Sequence, residues 1–327
     1  MIYVIADRTD CDGIIAHALL KRGLGETKHF PADYPDFHKK LEEVINEPRG
    51  IVIIADLDLN PTIRRYTYLF ERAKRKHEYL SWFDHHDGSM SQLNGFLSKY
   101  CAEITLSKDD CTSKLINEWH SRHDDDYAKW LAGIAQDYDY KNTGTDNYKL
   151  AEKIQEVIRS GFDVEKLFSM LAKDDSWQKN GELIDVLEAP RQDLIKRKKS
   201  AYKQLEDSLV YVATSPFRVM FGLSNMDLYR SDAPMYLREN DRQREKSGDK
   251  IDLYVVFFEN EEGSAMIYGN NDEVETVKIC NSLGGGGRGN NGGFTFGTKT
   301  TTSNYMERIK QVCHILEQYS QNKYKQK

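Results

Sequence analysis

The segment "WFDHHDGS" sets an aspartate and two histidines side by side, as Asp84, His85 and His86. Carboxylates and imidazoles bind metal ions, and imidazoles also transfer protons near neutral pH. Successive side chains on a strand point in opposite directions, so the two histidines are expected to face different surroundings. The three residues lie between aromatic residues and a glycine, and we therefore ask what Asp84, His85 and His86 do together.

Two other segments carry carboxylates in a comparable way. "DRTDCDG" contains Asp10 and Asp12, and Asp56 ends the apolar run "GIVIIAD". Two carboxylates that lie close together repel each other unless a cation lies between them. Oxygen ligands with one or two imidazoles suit manganese, magnesium or iron better than an all-thiolate zinc site. Each acid pair taken alone is typical of a helix N-cap or a solvated loop.

The elements around these segments alternate in a regular way. "IYVIA", "GIVIIADLDLNP" and "YLSWFDHHDGS" are predicted strands, and "GIIAHALLKRG", "KLEEVIN" and "RRYTYLFERAKRK" are predicted helices. This alternation predicts a parallel sheet with helices on both faces. Ligands of such sheets bind at the carboxyl ends of the strands, where all three acid clusters fall. We therefore predict that they converge on one binuclear metal centre.

The sequence from residue 112 onward predicts a different arrangement of helices and strands from that of the first part of the chain. Residues 112–189 are predicted to be mostly helical, and the hydroxyls of Thr112 and Ser113 are expected to cap the first of these helices. Asp137 and Asp139 lie in the helical stretch "LAGIAQDYDY", which by itself favours surface positions for both acids. A long charged helix follows, and then short alternating strands. We predict an α/β protein with a metal-binding domain at 1–189, a connecting helix at 190–208 and a smaller mixed α/β domain at 209–327.

The last domain contains the glycine-rich segment "GGGGRGNNGGFTFG". The four glycines from Gly284 to Gly287 would let backbone N–H groups approach an anion closely. Arg288 follows them, and a guanidinium can contact phosphate through two parallel hydrogen bonds. A flexible loop is the simpler interpretation of these glycines, but a metal centre elsewhere in the chain favours a phosphate-binding segment.

The composition restricts the class of protein. The chain has 327 residues, of which 30% are charged, and its net charge of -6 argues against an indiscriminate polyanion binder. No apolar run approaches the roughly 20 residues of a membrane-spanning helix, so no membrane partner is expected. Five cysteines without zinc-type spacing favour a reducing compartment. A cytoplasmic location is therefore predicted.

Four motifs together resemble those of a known family. "TDCDGI", "VIIADLD", "DHH" and "GIAQDYD", in this order and spacing, resemble the metal motifs of the DHH phosphoesterases. That family includes RecJ-like exonucleases and small nucleases that degrade very short oligonucleotides. "GGGGRGNNGGF" resembles the glycine-rich motif of the DHH-associated substrate-binding domain, so the resemblance covers nearly the whole chain.

The resemblance implies a function and a role for each motif residue. It implies hydrolysis of short single-stranded RNA or DNA to mononucleotides by an exonuclease with two divalent ions, expected to be manganese, with magnesium as the alternative. The implied metal ligands are Asp10, Asp12, Asp56, which would bridge both ions, His85 and Asp137. The implied catalytic residues are His86, which would face the phosphate, Asp84, which would orient its neighbours, and Arg288. The implied substrate-binding residues are Gly284, Gly285, Gly286, Gly287 and Arg288.

Two departures from the family pattern keep alternatives open. Arg8 stands two positions before Asp10, where relatives have a histidine or an aspartate, and an arginine cannot bind a cation. Asp7 or water would then fill the gap, or one metal site is weakened. Arg288 also stands where the glycine motif usually has a histidine. A cyclic dinucleotide or the bisphosphate pAp is the alternative substrate, and a binding or scaffold protein without catalysis is the alternative class.

Overall fold

A computed structural model describes residues 1–120, 125–188, 191–214, 216–225, 232–240, 250–259, 263–270, 274–288 and 290–325. The chain forms two compact units, Met1–Arg191 and Gln192–Lys327. The predicted connecting helix at 190–208 corresponds to a helix at Arg191–Asp207, and Pro190 lies outside the described residues.

The first unit is built on a five-stranded sheet in which every neighbouring pair is parallel. Its strands, in the spatial order β2-β1-β3-β4-β5, are β1 (Ile2–Asp7), β2 (Thr27–Ala32), β3 (Ile51–Ala55), β4 (Tyr79–Asp84) and β5 (Glu103–Leu106). The central strands β1, β3 and β4 are almost continuously apolar because helices cover both of their faces.

Helices pack on the two faces of this sheet around separate cores. They are α1 (Cys11–Leu24), α2 (Phe37–Asn46), α3 (Pro61–Arg64), α4 (Thr67–Lys76), α5 (Asp87–Ser91), α6 (Ser98–Tyr100), α7 (Thr112–His120), α8 (Asp126–Asp139), α9 (Asp146–Arg159), α10 (Val164–Leu171) and α11 (Gly181–Glu188). Neighbouring strand residues alternate between the cores: Val4 packs with α1 and α8, whereas Tyr3 and Ile5 pack with α2 and α4.

The second unit has a mixed six-stranded sheet. Its strands, in the spatial order β10-β11-β9-β8-β7-β6, are β6 (Val210–Ala213), β7 (Arg218–Ser224), β8 (Leu253–Phe258), β9 (Ser264–Gly269), β10 (Gly286–Arg288) and β11 (Asn291–Thr295). Only β7 and β8 pair in parallel among these described strands. Its helices are α12 (Arg191–Asp207), α13 (Asp232–Asn240), α14 (Thr276–Ser282) and α15 (Tyr305–Lys325).

The two sheets confirm the predicted α/β fold class, with a parallel first sheet and a mixed second one. Among the residues that the structure describes, no helix combines the length and the apolar character needed to cross a membrane.

Candidate metal centre

Three adjacent strands bring the acid clusters to one edge of the first sheet. Asp7 ends β1, Asp56 directly follows β3, and Asp84 ends β4. Because β1, β3 and β4 are parallel neighbours, their carboxyl ends meet at the same edge. Helix α1 starts immediately after β1, so Asp10, its N-cap, and Asp12, in its first turn, lie at this edge as well.

Asp12 is fixed by the start of another helix. Its two carboxylate oxygens accept hydrogen bonds from the N–H groups of Thr112 and Ser113, at 2.8 and 2.9 Å. The N-terminus of a helix favours such a negative charge. The hydroxyl of Thr112 donates to Asp56 Oδ1 at 3.0 Å, and that of Ser113 donates to the backbone oxygen of Asp12. Thus a carboxylate caps α7, and the two hydroxyls point toward the acids, contrary to the capping role that the sequence suggested.

Asp56 is held in an unusual and fully buried position. Its φ is 57°, in the left-handed region that aspartate tolerates better than most residues, and its N–H donates to the Phe83 carbonyl. Only 1% of the residue is exposed, and its Oδ2 accepts no hydrogen bond. Burial, and then the charges of Asp12 and Asp10, raise the pKa of this carboxyl well above its usual range. A buried carboxyl group with one oxygen left without a hydrogen bond is costly to ionise unless a cation neutralises it.

His85 joins this group from the neighbouring strand end. Its Nε2 lies 3.4 Å from Asp56 Oδ1, and its Nδ1 lies 3.1 Å from Oδ2 of Asp139, the last residue of α8. Asp12, His85 and Asp139 each offer one ligand atom, and these atoms lie within 4.8 Å of one another. Asp56, Asp84, His85 and His86 form a second group of this kind. Carboxylate oxygens with one or two imidazoles, and the Asp56 oxygen that accepts no hydrogen bond, fit a divalent metal ion.

The helix α8 brings Asp139, and not Asp137, to the cluster. Asp137 accepts hydrogen bonds from Asn142 Nδ2 at 2.9 Å and Thr145 Oγ1 at 2.8 Å, which tie it to the turn after α8. Two residues along a helix correspond to a rotation of about 200°, so both acids cannot face the same ion. The assignment of Asp137 as a ligand is corrected accordingly. The buried residues Leu131 and Ala135, at intervals of four before Asp139, are the sequence signal that identifies the right face.

Asp84 fixes the neighbouring histidine and the turn. Its Oδ1 accepts from the His85 N–H at 2.8 Å and from His86 Nδ1 at 2.6 Å, and its Oδ2 accepts from the Ser89 hydroxyl. Burial raises the pKa of Asp84, but the charge of His86 and these hydrogen bonds lower it further, to about 2. Burial lowers the pKa of His86, but Asp84 raises it more, to about 10. The two groups therefore form a carboxylate–imidazolium pair, and the His86 side chain remains 22% exposed.

Two residues that received no role from the sequence support this turn. Ser89 accepts from the Leu59 N–H at 2.9 Å, and its own N–H donates to Asp58 Oδ1 at 3.0 Å. A Cβ at Gly88 would collide with the Asp58 carboxylate. The Gly-Ser pair after the histidines therefore packs tightly against the segment that follows β3, and Ser89 connects it to Asp84.

Arg8 is directed to a different pair of acids. Its Nη2 lies 2.8 Å from Asp33 Oδ2 and 3.0 Å from Asp36 Oδ2, in the loop between β2 and α2. The preceding residue, Asp7, is only 4% exposed, and its Oδ1 accepts from the N–H and the hydroxyl of Thr9 at 2.6 and 2.7 Å. Burial and the charge of Asp10 raise the pKa of Asp7 to about 8.

The glycine-rich segment forms a tight hairpin in the second unit. Gly284 and Gly285 follow α14, and β10 pairs with β11 in a register that sets Gly286 opposite Gly293 and Gly287 opposite Gly292. A Cβ at Gly285 would collide with the Gly293 carbonyl, so close backbone packing already requires these small residues. The side chain of Arg288 and the whole of Gly289 lie outside the described residues. Anion binding by this segment stays a prediction.

Comparison with known proteins supports the fold. No protein-family model matches the chain, and no curated protein sequence matches it. Among solved structures, the pGpG-specific phosphodiesterase PggH from Vibrio cholerae is similar with a TM-score of 0.50 at 12% identity, over 96% of this chain and 99% of that chain. An exopolyphosphatase-related protein from Bacteroides fragilis has a TM-score of 0.48 at 10% identity, over 97% and 92% of the two chains. At this identity the likeness to PggH establishes a shared fold.

Proposed function

We propose that the protein is a DHH-family phosphodiesterase that uses two divalent ions to degrade short single-stranded RNA or DNA from one end to mononucleotides. The observation that carries the proposal is the buried cluster at the edge of the first sheet, where Asp56 keeps a carboxylate oxygen without a hydrogen bond. A buried charge of this kind is retained when a ligand neutralises it, because otherwise it only destabilises the fold.

The donor set divides into ligands for two ions. Asp12, His85 and Asp139, whose ligand atoms lie together, would hold one ion. The resemblance of the motifs assigns Asp10 to the other ion and Asp56 to both. Bound divalent ions would supply positive charge at the phosphate and lower the pKa of a water toward neutrality. Hydrolysis would join the oxygen of a water molecule to phosphorus and break one ester P–O bond, and the proton lost by that water would pass to the departing oxygen.

His86 is suited to contact the phosphate. In the imidazolium form both ring nitrogens donate hydrogen bonds. Nδ1 donates to Asp84, so Nε2 is left for a phosphate oxygen whose negative charge grows in the transition state. The carboxylate of Asp84 thereby holds both the charge and the orientation of the imidazole.

The substrate class rests on the resemblance of the motifs and on the fold shared with PggH. That enzyme is described as specific for pGpG, which is a strand of two nucleotides. Very short strands, including linear dinucleotides, are therefore the expected substrates of this chain.

A substrate panel tests the proposal. The full chain with manganese would be given end-labelled RNAs and DNAs of two to ten nucleotides, a cyclic dinucleotide and pAp, with the Asp56→Asn variant as the inactive control. We expect mononucleotides to accumulate from the linear strands. Hydrolysis of only the cyclic dinucleotide or pAp would overturn the substrate assignment, and manganese binding without hydrolysis of any of them would favour the non-catalytic alternative.

A further inference from the structure

We infer that Thr112 is a positioning residue of the metal centre, because this one residue contacts the side chains of Asp12 and Asp56 at the same time. The inference rests on the proposed function, since it concerns how the candidate ligands are held in place before an ion binds. It assigns Thr112 no contact with an ion or with the substrate.

Asp12 and Asp56 belong to separate elements of the first unit. Asp12 lies in the first turn of α1, whereas Asp56 directly follows β3. The N–H of Thr112 donates to Asp12 Oδ2 at 2.8 Å, and its hydroxyl donates to Asp56 Oδ1 at 3.0 Å. Because Thr112 is fully buried and its β-branched side chain is stiff at χ1, it fixes one carboxylate relative to the other.

The hydrogen bonds at Asp12 and Asp56 also determine which lone pairs remain for an ion. An ionised carboxylate only accepts hydrogen bonds, so the hydroxyl of Thr112 must be the donor to Asp56 Oδ1. The buried Oδ2 of Asp56 accepts no hydrogen bond from the described residues. Each Asp12 oxygen accepts one backbone N–H, from Thr112 or Ser113, and keeps a second lone pair. Both carboxylates are therefore held in one orientation and still offer lone pairs to an ion.

Thr112 is itself held by the helix that carries Asp139. The N–H of the preceding residue, Cys111, donates to Gln136 Oε1 at 2.7 Å, and Gln136 Nε2 donates to the Asp109 carbonyl at 2.9 Å. Gln136 lies three residues before Asp139 on α8, which places both side chains on the same face of the helix. The start of α7 thus links the helix of one candidate ligand to the carboxylates of two others.

Loss of the Thr112 hydroxyl should therefore lower the affinity for metal. Without it, Asp56 loses the hydrogen bond to Oδ1, so its carboxylate can rotate and an ion must order it on binding. Removing a group that only hydrogen-bonds to a metal ligand typically costs about 10- to 100-fold in metal affinity.

Calorimetric titration of the metal-free full chain with manganese chloride tests this role. Thr112→Val preserves the shape of the side chain but removes the hydroxyl, and it should weaken manganese binding at least about tenfold. Thr112→Ser keeps the hydroxyl and should bind manganese with an affinity close to that of the wild type. Thr112→Ala removes the hydroxyl without placing a methyl group against Asp56. It should lose affinity as the valine variant does, and it replaces that variant if valine prevents folding.

Ser113→Ala is the matched control, because the Ser113 hydroxyl donates to the backbone oxygen of Asp12 and not to a carboxylate. Both residues are fully buried at the start of α7, so the comparison separates the loss of a buried hydroxyl from the loss of the contact with Asp56. Ser113→Ala should leave the affinity for manganese unchanged. Circular dichroism and thermal unfolding without metal would verify that each variant is folded.

Manganese affinity at the wild-type level in Thr112→Val or Thr112→Ala would overturn the inference, even if the variant melts at a lower temperature. An equal loss in Thr112→Ser or in Ser113→Ala would also overturn it, because the contact between the Thr112 hydroxyl and Asp56 would not be the cause. In these cases the proposed function would stand. A folded wild-type chain that binds no manganese would refute the metal centre of the proposed function, and this inference with it.

Discussion

The two units of the chain bury different kinds of polar side chain. Among the described residues, the aspartates and histidines that are buried in the first unit are Asp7, Asp12, His17, Asp56, Asp58, His77, Asp84 and His85. The described buried polar residues of the second unit carry only hydroxyls, and they are Thr214, Ser224, Ser264, Thr276, Thr300 and Ser320. A hydroxyl is satisfied by one or two hydrogen bonds, whereas a buried carboxylate must be neutralised.

The polar side chains buried in the second unit are compatible with a sheet that only packs, whereas those at the carboxyl edge of the first sheet are suited to chemistry. The second sheet stacks Phe221 against Phe257 in an apolar core. The first sheet is just as apolar along its strands, but its carboxyl edge concentrates buried carboxyl groups whose ionisation opposes folding. Charges of this kind are expected where stability has been exchanged for function.

The largest effect is expected from removing the carboxylate at the centre of this edge. Asp56→Asn should reduce the rate of phosphodiester hydrolysis more than about 100-fold. Removing a group that only hydrogen-bonds to a metal ligand typically costs up to about 100-fold, and Asp56 is proposed to bind the ions directly. Asparagine also adopts the left-handed backbone that Asp56 requires, so the fold should persist. Without metal and at neutral pH the variant should melt at a higher temperature than the wild type, because folding no longer requires the Asp56 carboxyl to take up a proton. The activity assay and thermal unfolding measure the two effects, and an active Asp56→Asn variant would refute the assignment.

A smaller effect distinguishes two acids on one helix. Asp139→Asn should weaken manganese binding about 10- to 100-fold, since this carboxylate lies beside His85. Asp137→Asn should change the affinity little, because Asp137 only accepts bonds from Asn142 and Thr145. Calorimetric titration of both variants is the measurement. The reverse order of effects would restore Asp137 as the ligand.

A further comparison tests how the turn after β4 is supported. Ser89→Ala removes the hydroxyl that donates to Asp84 and should lower kcat about tenfold with little change in KM, because the orientation of His86 is loosened. Ser91→Ala is the control, since its hydroxyl donates to the Gly88 carbonyl and accepts from Gln92 Nε2, and neither partner is Asp84. Threonine at position 89 should restore part of the activity. Equal kcat values for Ser89→Ala and Ser91→Ala would exclude the positioning role.

The smallest effect concerns buried histidines away from the metal cluster. Thr27 Oγ1 contacts His29 Nε2, the Nδ1 atoms of His29 and His17 lie 2.8 Å apart, and His17 Nε2 contacts the Ala6 carbonyl. When both imidazoles are neutral, each of their four ring nitrogens takes part in one of these hydrogen bonds. Protonation would set two N–H groups against each other, and burial with the charge of Lys21 lowers the pKa of His29 to about 4.

The sign of the pH dependence follows from this lowered pKa. Below the ordinary value of 6.5 the unfolded chain binds a proton that folded His29 does not, so the free energy of unfolding is highest above pH 6.5 and falls toward pH 4. His29→Gln should reduce this slope by up to about 1.4 kcal/mol per pH unit. Urea unfolding at pH 7, 6 and 5 measures this slope. An equal pH dependence of the free energy of unfolding in wild type and variant would contradict the neutral state of the two histidines.

The sequence was sufficient to place the acid clusters at the carboxyl ends of the strands, but not to identify which of the acids are candidate metal ligands. The runs "IYVIA" and "GIVIIA" predict β1 and β3 directly, because strands buried on both faces are continuously apolar. The strand β2, "TKHFPA", was not predicted, since it contains Lys28 and Pro31 and lies at the edge of the sheet, where proline is tolerated.

Ligand identity was harder to predict because it depends on contacts between distant segments. Asp137 and Asp139 differ by two positions, and only the packing of α8 decides between them. Thr112 reaches Asp56 across 56 residues of sequence, and no local pattern reports such a contact. The role of Arg8 likewise depended on the position of Asp33 and Asp36.

The most direct test of the central claim is an anomalous difference map from a crystal soaked in manganese chloride and measured at the manganese absorption edge. The account predicts one peak bounded by Asp12, Asp56, His85 and Asp139, and a second peak on the Asp10 side of Asp56. A map without a peak among these carboxylates, in a crystal of the folded chain, would contradict it.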